Sequence, residues 1–376
     1  MIRLLTVIGA RPQIIKAAAI SRAVRENFQD KVEERILHTG QHYDANMSQV
    51  FFDELGIPSP DYNLGVGSGP HGEQTAKMID GIEKVLTSDR FDGIILYGDT
   101  NSTLAGAVAA SKLQIPVFHV EAGLRSFNMS MPEEQNRIVC DHLSSILFAP
   151  TKTACDNLAS EGLISSKALF RGGKRRLVVN SGDVMYDNAL YFSKIAEKKS
   201  TILNDCCVSS GNYILATIHR DFNTDAPERI ESIFRALSLV SEENDIPIVL
   251  PLHPRTKKYL PSGLSRRILI IPPASFFDIL TLEKNARVVM TDSGGVQKEA
   301  FFFGKPCIIF RPETEWVEIL DNNAGILADA DYDRIISAYN TLSGNDVCFP
   351  PLFGDGKASH IIIQSIIDYV NSGNLA

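Results

Sequence analysis

The chain has 376 residues, too many for one ordinary hydrophobic core and well suited to two domains. Hydrophobic residues make up 44% and charged residues 22%, the balance of a soluble globular protein. A net charge of −8 with pI near 5.6 argues against a general nucleic-acid surface, while leaving room for a local basic site for a small anion.

In chain order, the opening "MIRLLTVIGARP" has a short apolar run stopped by Arg11, and reads as a first strand rather than a signal peptide. "RLLTVIG" in that opening, and then "VEERILH", "GIILYGD", "PVFHVE", "SILFAPT" and "RLVVNSGD", read as buried strands, because parallel strands covered on both faces are near-continuous apolar runs. Residues 13–26, 72–87, 102–112 and 151–160 read as the helices between them. The rhythm breaks over 196–212, "AEKKSTILNDCCVSSGN", and restarts at "YILATIH". Then come a helix from about 227, "IPIVLPLHP", "RILIIPP", helices from about 275 and 295 around "ARVVMTD", and "KPCIIF". A helix at 183–196 opens or bridges the second half, and a last amphipathic helix runs from about 358 to 371. The expected fold class is therefore α/β, with two doubly wound Rossmann-like domains whose strand C-terminal ends face a cleft. The expected bounds are 1–171 and 172–356, with helix 357–376 packing back on the first domain.

No apolar stretch approaches the roughly 20 residues of a membrane helix. The six cysteines (140, 155, 206, 207, 307, 348) show no C-x-x-C pair and no metal spacing, and read as reduced thiols of a cytoplasmic protein.

Ligands of such sheets bind beyond the strand ends, so a motif gains weight when a strand immediately precedes it. "VIGARPQIIK" sets Arg11 and Lys16 around a helix start, an arrangement suited to phosphate; a plain turn with solvated charges is the other reading. "HTGQHYD" offers Gln41 and His42 to a sugar, or is simply a capped loop. In "YGDTNSTLAG", Asp99 is either a helix cap or a general acid or base. "HVEAGLRSFNMSMPEEQNR" crowds His119, Glu121, Arg125, Glu133, Glu134 and Arg137 past one strand. Helix-dipole effects explain the glutamates after Pro132, but not Glu121 beside Arg125. Two or three carboxylates around one carbon serve to take and return protons on opposite faces. In the second half, "ATIHRDFNTD" puts His219 and Arg220 at a strand tip, and "VLPLHPRT" repeats this more weakly with His253 and Arg255. "VVMTDSGGVQKEAFFFGKP" is the strongest signal. Ser293, Gly294 and Gly295 open a helix to an anion, and Glu299 one turn on can accept both hydroxyls of a ribose. Neither G-x-G-x-x-G nor a P-loop lysine accompanies it.

"GARPQ", "TGQH", "GDTNSTLAG", "HVEAGLRS", "PEEQNR", "TIHR" and "TDSGGVQKEA" occur in the order seen in non-hydrolysing UDP-N-acetylglucosamine 2-epimerases, and the resemblance runs to about residue 316. It implies a glycosyltransferase-B type fold, a UDP-sugar substrate, no metal and no cofactor, and a cytoplasmic homodimer serving polysaccharide (lipopolysaccharide O-antigen) biosynthesis. It also implies inversion of C2 by elimination of UDP to a glycal and re-addition. By motif, Asp99, Glu121 and Glu133 become the acid/base carboxylates, and His219 touches the diphosphate. Arg11, Lys16 and Arg137 surround sugar and phosphates, Ser293, Gly294 and Gly295 bind phosphate, and Glu299 the ribose. Gln41 and His42 lie on a loop that in some relatives helps form a second UDP-sugar site, and Glu134 has the weaker claim. Gln13, Phe222 and Trp316 depart from the common pattern, which shows Glu, Glu and Arg there. "TEWVE" and "RSFNMSMPEEQNR" resemble more the branch acting on UDP-2,3-diacetamido-2,3-dideoxy-glucuronate. UDP-N-acetylglucosamine itself is the alternative substrate, and a glycosyltransferase of the same fold the alternative enzyme.

Overall fold

The computed structural model describes residues 1–41, 52, 55–165, 169–170, 174–252, 260–261 and 263–372, and places them in two compact units. One comprises Met1–Asn188 and Leu352–Ala376, the other Ala189–Pro351.

The first unit runs β1 (Ile2–Ile8), α1 (Arg11–Ala23), β2 (Val32–His38), β3 (Tyr62–Asn63), α2 (His71–Ser88), β4 (Gly93–Tyr97) and α3 (Asn101–Lys112). It continues with β5 (Val117–Val120), α4 (Pro132–Leu143), β6 (Ile146–Ala149), α5 (Lys152–Ser160), a hairpin of β7 (Leu169–Phe170) and β8 (Lys174–Arg175), and β9 (Leu177–Asn180). Its main sheet is wholly parallel in the order β3-β2-β1-β4-β5-β6-β9. β4 is completely buried, which is why "GIILY" carries no polar residue but its terminal tyrosine.

The division falls inside helix α6 (Val184–Lys199). The expected boundary after residue 171 sits too early, because β9 pairs with β6 and extends the first sheet. The second unit adds β10 (Ile214–Thr217), α7 (Pro227–Glu243), β11 (Ile248–Pro251), β12 (Ile268–Ile271), α8 (Phe276–Asn285), β13 (Val288–Thr291), α9 (Gly294–Phe302), β14 (Cys307–Ile309), β15 (Gly325–Leu327) and α10 (Tyr332–Gly344). Its sheet is again parallel, in the order β12-β11-β10-β13-β14-β15.

The last helix, α11 (Ala358–Ser372), belongs to the first unit. It buries Ile362, Ile363 and Ile366 and stacks His360 on Phe28, centroids 4.8 Å apart. Its start is capped from a distance. The buried Asp187 carboxylate accepts the amides of Ala358 (3.0 Å) and Ser359 (2.8 Å) and the Ser359 hydroxyl (2.6 Å).

Each sheet has one point where strand order reverses, between β1 and β4 and between β10 and β13. Loops diverge there and leave a crevice beyond the strand ends. Asp99, His219 and Ser293 lie in the turns after three of these strands, and Arg11 is the first residue of the helix that follows β1. Among the described residues no helix is long and apolar enough to cross a membrane.

Candidate active site

In the first unit the turns after β1, β2 and β4 are drawn together. A Cβ on Gly9 would stand 2.2 Å from both the Thr39 and Ser102 hydroxyls, which bond to each other at 2.8 Å. Only glycine fits that contact. Gln13 fastens the same corner. Its amide oxygen accepts the Gly9 (2.9 Å) and Ala10 (3.2 Å) N–H groups, and its amide nitrogen donates to the Tyr97 carbonyl and the Thr103 hydroxyl, both 3.0 Å. Those two acceptors explain the departure at this position, since a glutamate has no N–H to give them. Gln41 is engaged likewise, its carbonyl accepting the Ser102 amide (3.1 Å) and hydroxyl (2.7 Å) at the start of α3. His42, His253 and Arg255 lie outside the described residues. Arg11 is exposed at the N-terminus of α1.

Lys16, one turn into α1, forms an ion pair with Glu121. Glu121 directly follows β5 with φ +71°, a left-handed conformation that a β-carbon disfavours by about 1 kcal/mol or more. The strain aims the carboxylate at Lys16 and toward Gly98, whose own φ is +61°. Asp99 is paired with Arg137, and Arg137 also holds Glu134 at 2.5 Å. Asn136 donates to the Asp99 carbonyl at 2.9 Å. Asp99 and Glu121 thus stand at the ends of neighbouring strands, each beside a nearly buried cation.

Glu134 is buried and accepts the Ser126 amide (3.0 Å), the Ser126 hydroxyl (3.0 Å) and the Phe127 amide (2.9 Å). Burial pushes its pKa up, but the Ser126 amide and Arg137 outweigh burial and hold it below the usual value. It ties down the 126–127 loop, while its neighbour Glu133 is exposed on the first turn of α4.

Behind the carboxylates lies a fully buried network that the sequence does not reveal. His119 Nδ1 is 2.7 Å from Asp141 Oδ1, and Nε2 is 2.8 Å from the Gly98 carbonyl. Both partners are acceptors, so both nitrogens must carry protons and the ring is an imidazolium. Burial alone would lower the His119 pKa; Cys140 and Asp141 reverse this and raise it well above the usual value. Asp141 accepts the Gly123 amide at 3.1 Å and pairs with Arg125 at 2.8 Å. Burial raises its pKa, and His119 and Arg125 bring it below the usual value. Arg125 is locked by a bidentate pair with Glu161, at 2.6 and 2.8 Å. The arginine beside Glu121 therefore belongs to the scaffold. Asp141 gives no local sign, being 22 residues beyond its partner on a different element.

In the second unit Asp292 plays the organising part. Fully buried, it accepts the His219 amide (3.0 Å), the Arg220 amide (3.0 Å) and the Asn223 side chain (3.1 Å). This binds the turn after β10 to the turn after β13, and the Thr217 and Thr291 hydroxyls (2.6 Å) join the two strand ends. The His219 side chain is exposed. Ser293 caps α9 through the Val296 amide, and Gly295 lies open to the surface. A Cβ on Gly294 would meet the Glu315 carboxylate at 2.5 Å, which Arg311 holds at 3.0 Å. Glu299 is half-buried on α9. The other two departures have local partners: Phe222 stacks on the Arg229 guanidinium (5.3 Å), and Trp316 on the Lys298 ammonium (4.1 Å).

Two parallel sheets thus carry carboxylates and cations at one reversal point, and an anion-ready helix start beside a histidine turn at the other. The sequence matches the profile described as UDP-N-acetylglucosamine 2-epimerase over residues 25–367. The chain belongs to the UDP-N-acetylglucosamine 2-epimerase family. It is 47% identical to the UDP-2,3-diacetamido-2,3-dideoxy-D-glucuronate 2-epimerase of Pseudomonas aeruginosa, over 96% of this chain and 98% of that one. It is 41% identical to a UDP-N-acetylglucosamine 2-epimerase of Methanocaldococcus jannaschii, over 96% and 98%. A crystal structure of the M. jannaschii epimerase in complex with UDP-GlcNAc and UDP superposes with a TM-score of 0.83 at 40% identity, covering 97% of this chain and 99% of that one. A UDP-bound transferase from Siraitia grosvenorii, 11% identical with a TM-score of 0.61 over 99% of this chain and 100% of that one, shares the fold alone. The family assignment carries the enzyme class with it: a UDP-sugar 2-epimerase of glycosyltransferase-B type.

Proposed function

We propose that the chain inverts C2 of UDP-2,3-diacetamido-2,3-dideoxy-glucuronate to give the mannuronate epimer. The observation that carries this choice of sugar is the similarity to the Pseudomonas enzyme along nearly the whole of both chains. In the reaction one carboxylate removes the C2 proton. The C–H electron pair becomes the C1–C2 double bond of a glycal, and the C1–O bond breaks with its electrons leaving on UDP. UDP then adds back through one of the β-phosphate's now equivalent terminal oxygens, and a carboxylic acid on the opposite face returns a proton to C2. No net oxidation occurs, so the chemistry calls for no redox cofactor.

Asp99, Glu121 and Glu133 are the proposed acid/base groups. Lys16 and Arg137 support this for two of them, since an ion pair holds each carboxylate in place just beyond the end of its strand. Arg11 is assigned to the phosphates or sugar, and Gln41 to positioning α3, which Asp99 closely precedes. Ser293, Gly294 and Gly295 are assigned to phosphate at the start of α9, His219 to the diphosphate and Glu299 to the ribose. A homodimer working in the cytoplasm on precursors of a surface polysaccharide completes the proposal; all six cysteines are free thiols, as that compartment requires.

UDP-N-acetylglucosamine is the second reading, favoured by the relative whose structure holds that sugar. Proton NMR of the enzyme with each UDP-sugar in turn separates the two. The proposed function expects the manno epimer from the diacetamido-glucuronate at the higher kcat/KM. A faster reaction of UDP-N-acetylglucosamine would move the assignment to the second reading.

A further inference from the structure

Glu283 lies on α8 with 0% of its surface exposed, next along the helix to Leu282 of an apolar cluster and near that cluster's Cys307. Neither carboxyl oxygen is reached by an N–H or hydroxyl donor. The neighbouring Tyr213 hydroxyl is committed to the Leu282 carbonyl at 2.5 Å. The group within hydrogen-bonding reach is another carboxyl, that of Glu299 on α9. Two carboxylates in contact cannot both stay ionised in a dry site; one proton must lie between them. Glu299 is half-exposed and Glu283 is not, so the charge belongs on Glu299 and the proton on Glu283.

We propose that Glu283 is a positioning residue for nucleotide recognition: as a buried carboxylic acid it donates a hydrogen bond to Glu299 and fixes that carboxylate where it accepts both ribose hydroxyls of a uridine nucleotide. This rests on the reading of Glu299 as the ribose group. Burial, and then the nearby Glu299 charge, push the Glu283 pKa well above the usual carboxylate value, in keeping with the geometry. The consequence is specific. A lone glutamate on a helix can turn away or take up a proton, and then it no longer accepts two hydroxyl donors. A carboxylate held by an O–H donor beneath it keeps its free lone pairs directed outward.

The test compares UDP with 2′,3′-dideoxy-UDP, by calorimetry, on the full-length wild type and on Glu283→Gln, Glu283→Leu and Glu299→Gln. The wild type is expected to prefer UDP by about tenfold or more, the value of one or two hydroxyl contacts to a charged acceptor. Glu283→Gln retains a donor toward Glu299 and keeps the preference within about threefold of the wild type. Glu283→Leu has none, and the preference falls toward unity. A loss of structure alone would weaken both ligands equally and leave their ratio unchanged. If Glu299→Gln abolishes the preference and a cooperatively folded Glu283→Leu retains it, the role of Glu283 is overturned while the ribose reading stands. If Glu299→Gln keeps the preference, the ribose reading fails and the proposal with it. Should Glu283→Leu not fold, difference infrared spectroscopy of wild type against Glu283→Gln decides. A protonated-carboxyl stretch at neutral pH supports the proposal, and its absence overturns it.

Discussion

His119 and Asp141 form a fully buried ion pair of 2.7 Å that reaches the backbone within two residues of each of the two best-placed carboxylates. Through Gly98 the imidazolium fixes the turn carrying Asp99, and through Gly123 the aspartate fixes the turn carrying Glu121. Breaking one member leaves the other buried and uncompensated. Asp141→Asn should therefore lower stability by about 3–5 kcal/mol in urea titrations, well beyond an exposed ion pair. A loss below about 1 kcal/mol would mean that the network is not charged.

The same pair shapes the pH dependence. The folded pKa of His119 lies above its unfolded value, so its stabilisation is complete below the ordinary histidine range and fades as pH rises through the folded value. Asp141 has a depressed folded pKa, so its stabilisation is present above the ordinary aspartate range and fades as pH falls through the folded value. Denaturation midpoints should be highest between these limbs. In His119→Gln the alkaline fall due to this group should vanish, and an unchanged alkaline limb would remove His119 as its cause.

Glu121 combines a left-handed backbone with a pair to Lys16, which is unusual for a glutamate and wasteful for a merely structural one. Glu121→Gln keeps size and backbone but cannot accept the C2 proton as a carboxylate does. We expect kcat to drop about 10²–10⁴-fold, with UDP affinity within about threefold of the wild type. A comparable loss in UDP affinity would assign Glu121 to binding instead.

Asp292 collects three donors around the His219 turn. Asp292→Ala strands those donors and should weaken UDP binding more than tenfold, since each orphaned group costs about 1–3 kcal/mol and the turn loses its tether. Calorimetry with UDP reads this directly, and unaltered affinity would detach His219 and its turn from the nucleotide.

Trp316 and Lys298 are both nearly buried and in cation–π contact. Arginine at 316 would set two cations against each other in a dry place. Trp316→Arg is expected to cost about 2–4 kcal/mol, and adding Lys298→Glu should recover at least about 1 kcal/mol by converting repulsion into a pair. Additive effects in this double-mutant cycle would show that the two positions do not interact.

Legibility in the sequence depends on the range over which each signal acts. "GIILYGD" and "ARVVMTD" are readable as strands because a parallel strand buried on both faces is apolar throughout, and the turns after them because a βα turn is a local string. β3, of two residues, and β15, of three, are too short to show a period. β9 reads as a strand, but its pairing with β6, which moves the boundary, is a tertiary fact. The site divides in the same way. Asp99, Glu121 and Ser293 announce themselves by position after a strand. The partners that fix them do not: Asp141 lies 22 residues from His119, and Gln13 reaches 84 residues along the chain to Tyr97. Glu283 looks like any glutamate on an amphipathic helix until the fold brings it to Glu299.

The central claim is that the bond from C1 to UDP breaks and re-forms during epimerisation. Positional isotope exchange tests it most directly, using a UDP-sugar with ¹⁸O in the bridge between C1 and the β-phosphorus, monitored by ³¹P NMR. Elimination and re-addition let the freed β-phosphate rotate, so ¹⁸O should scramble into non-bridging positions as the epimer appears. Epimer that forms with all its ¹⁸O still in the bridge would contradict the account.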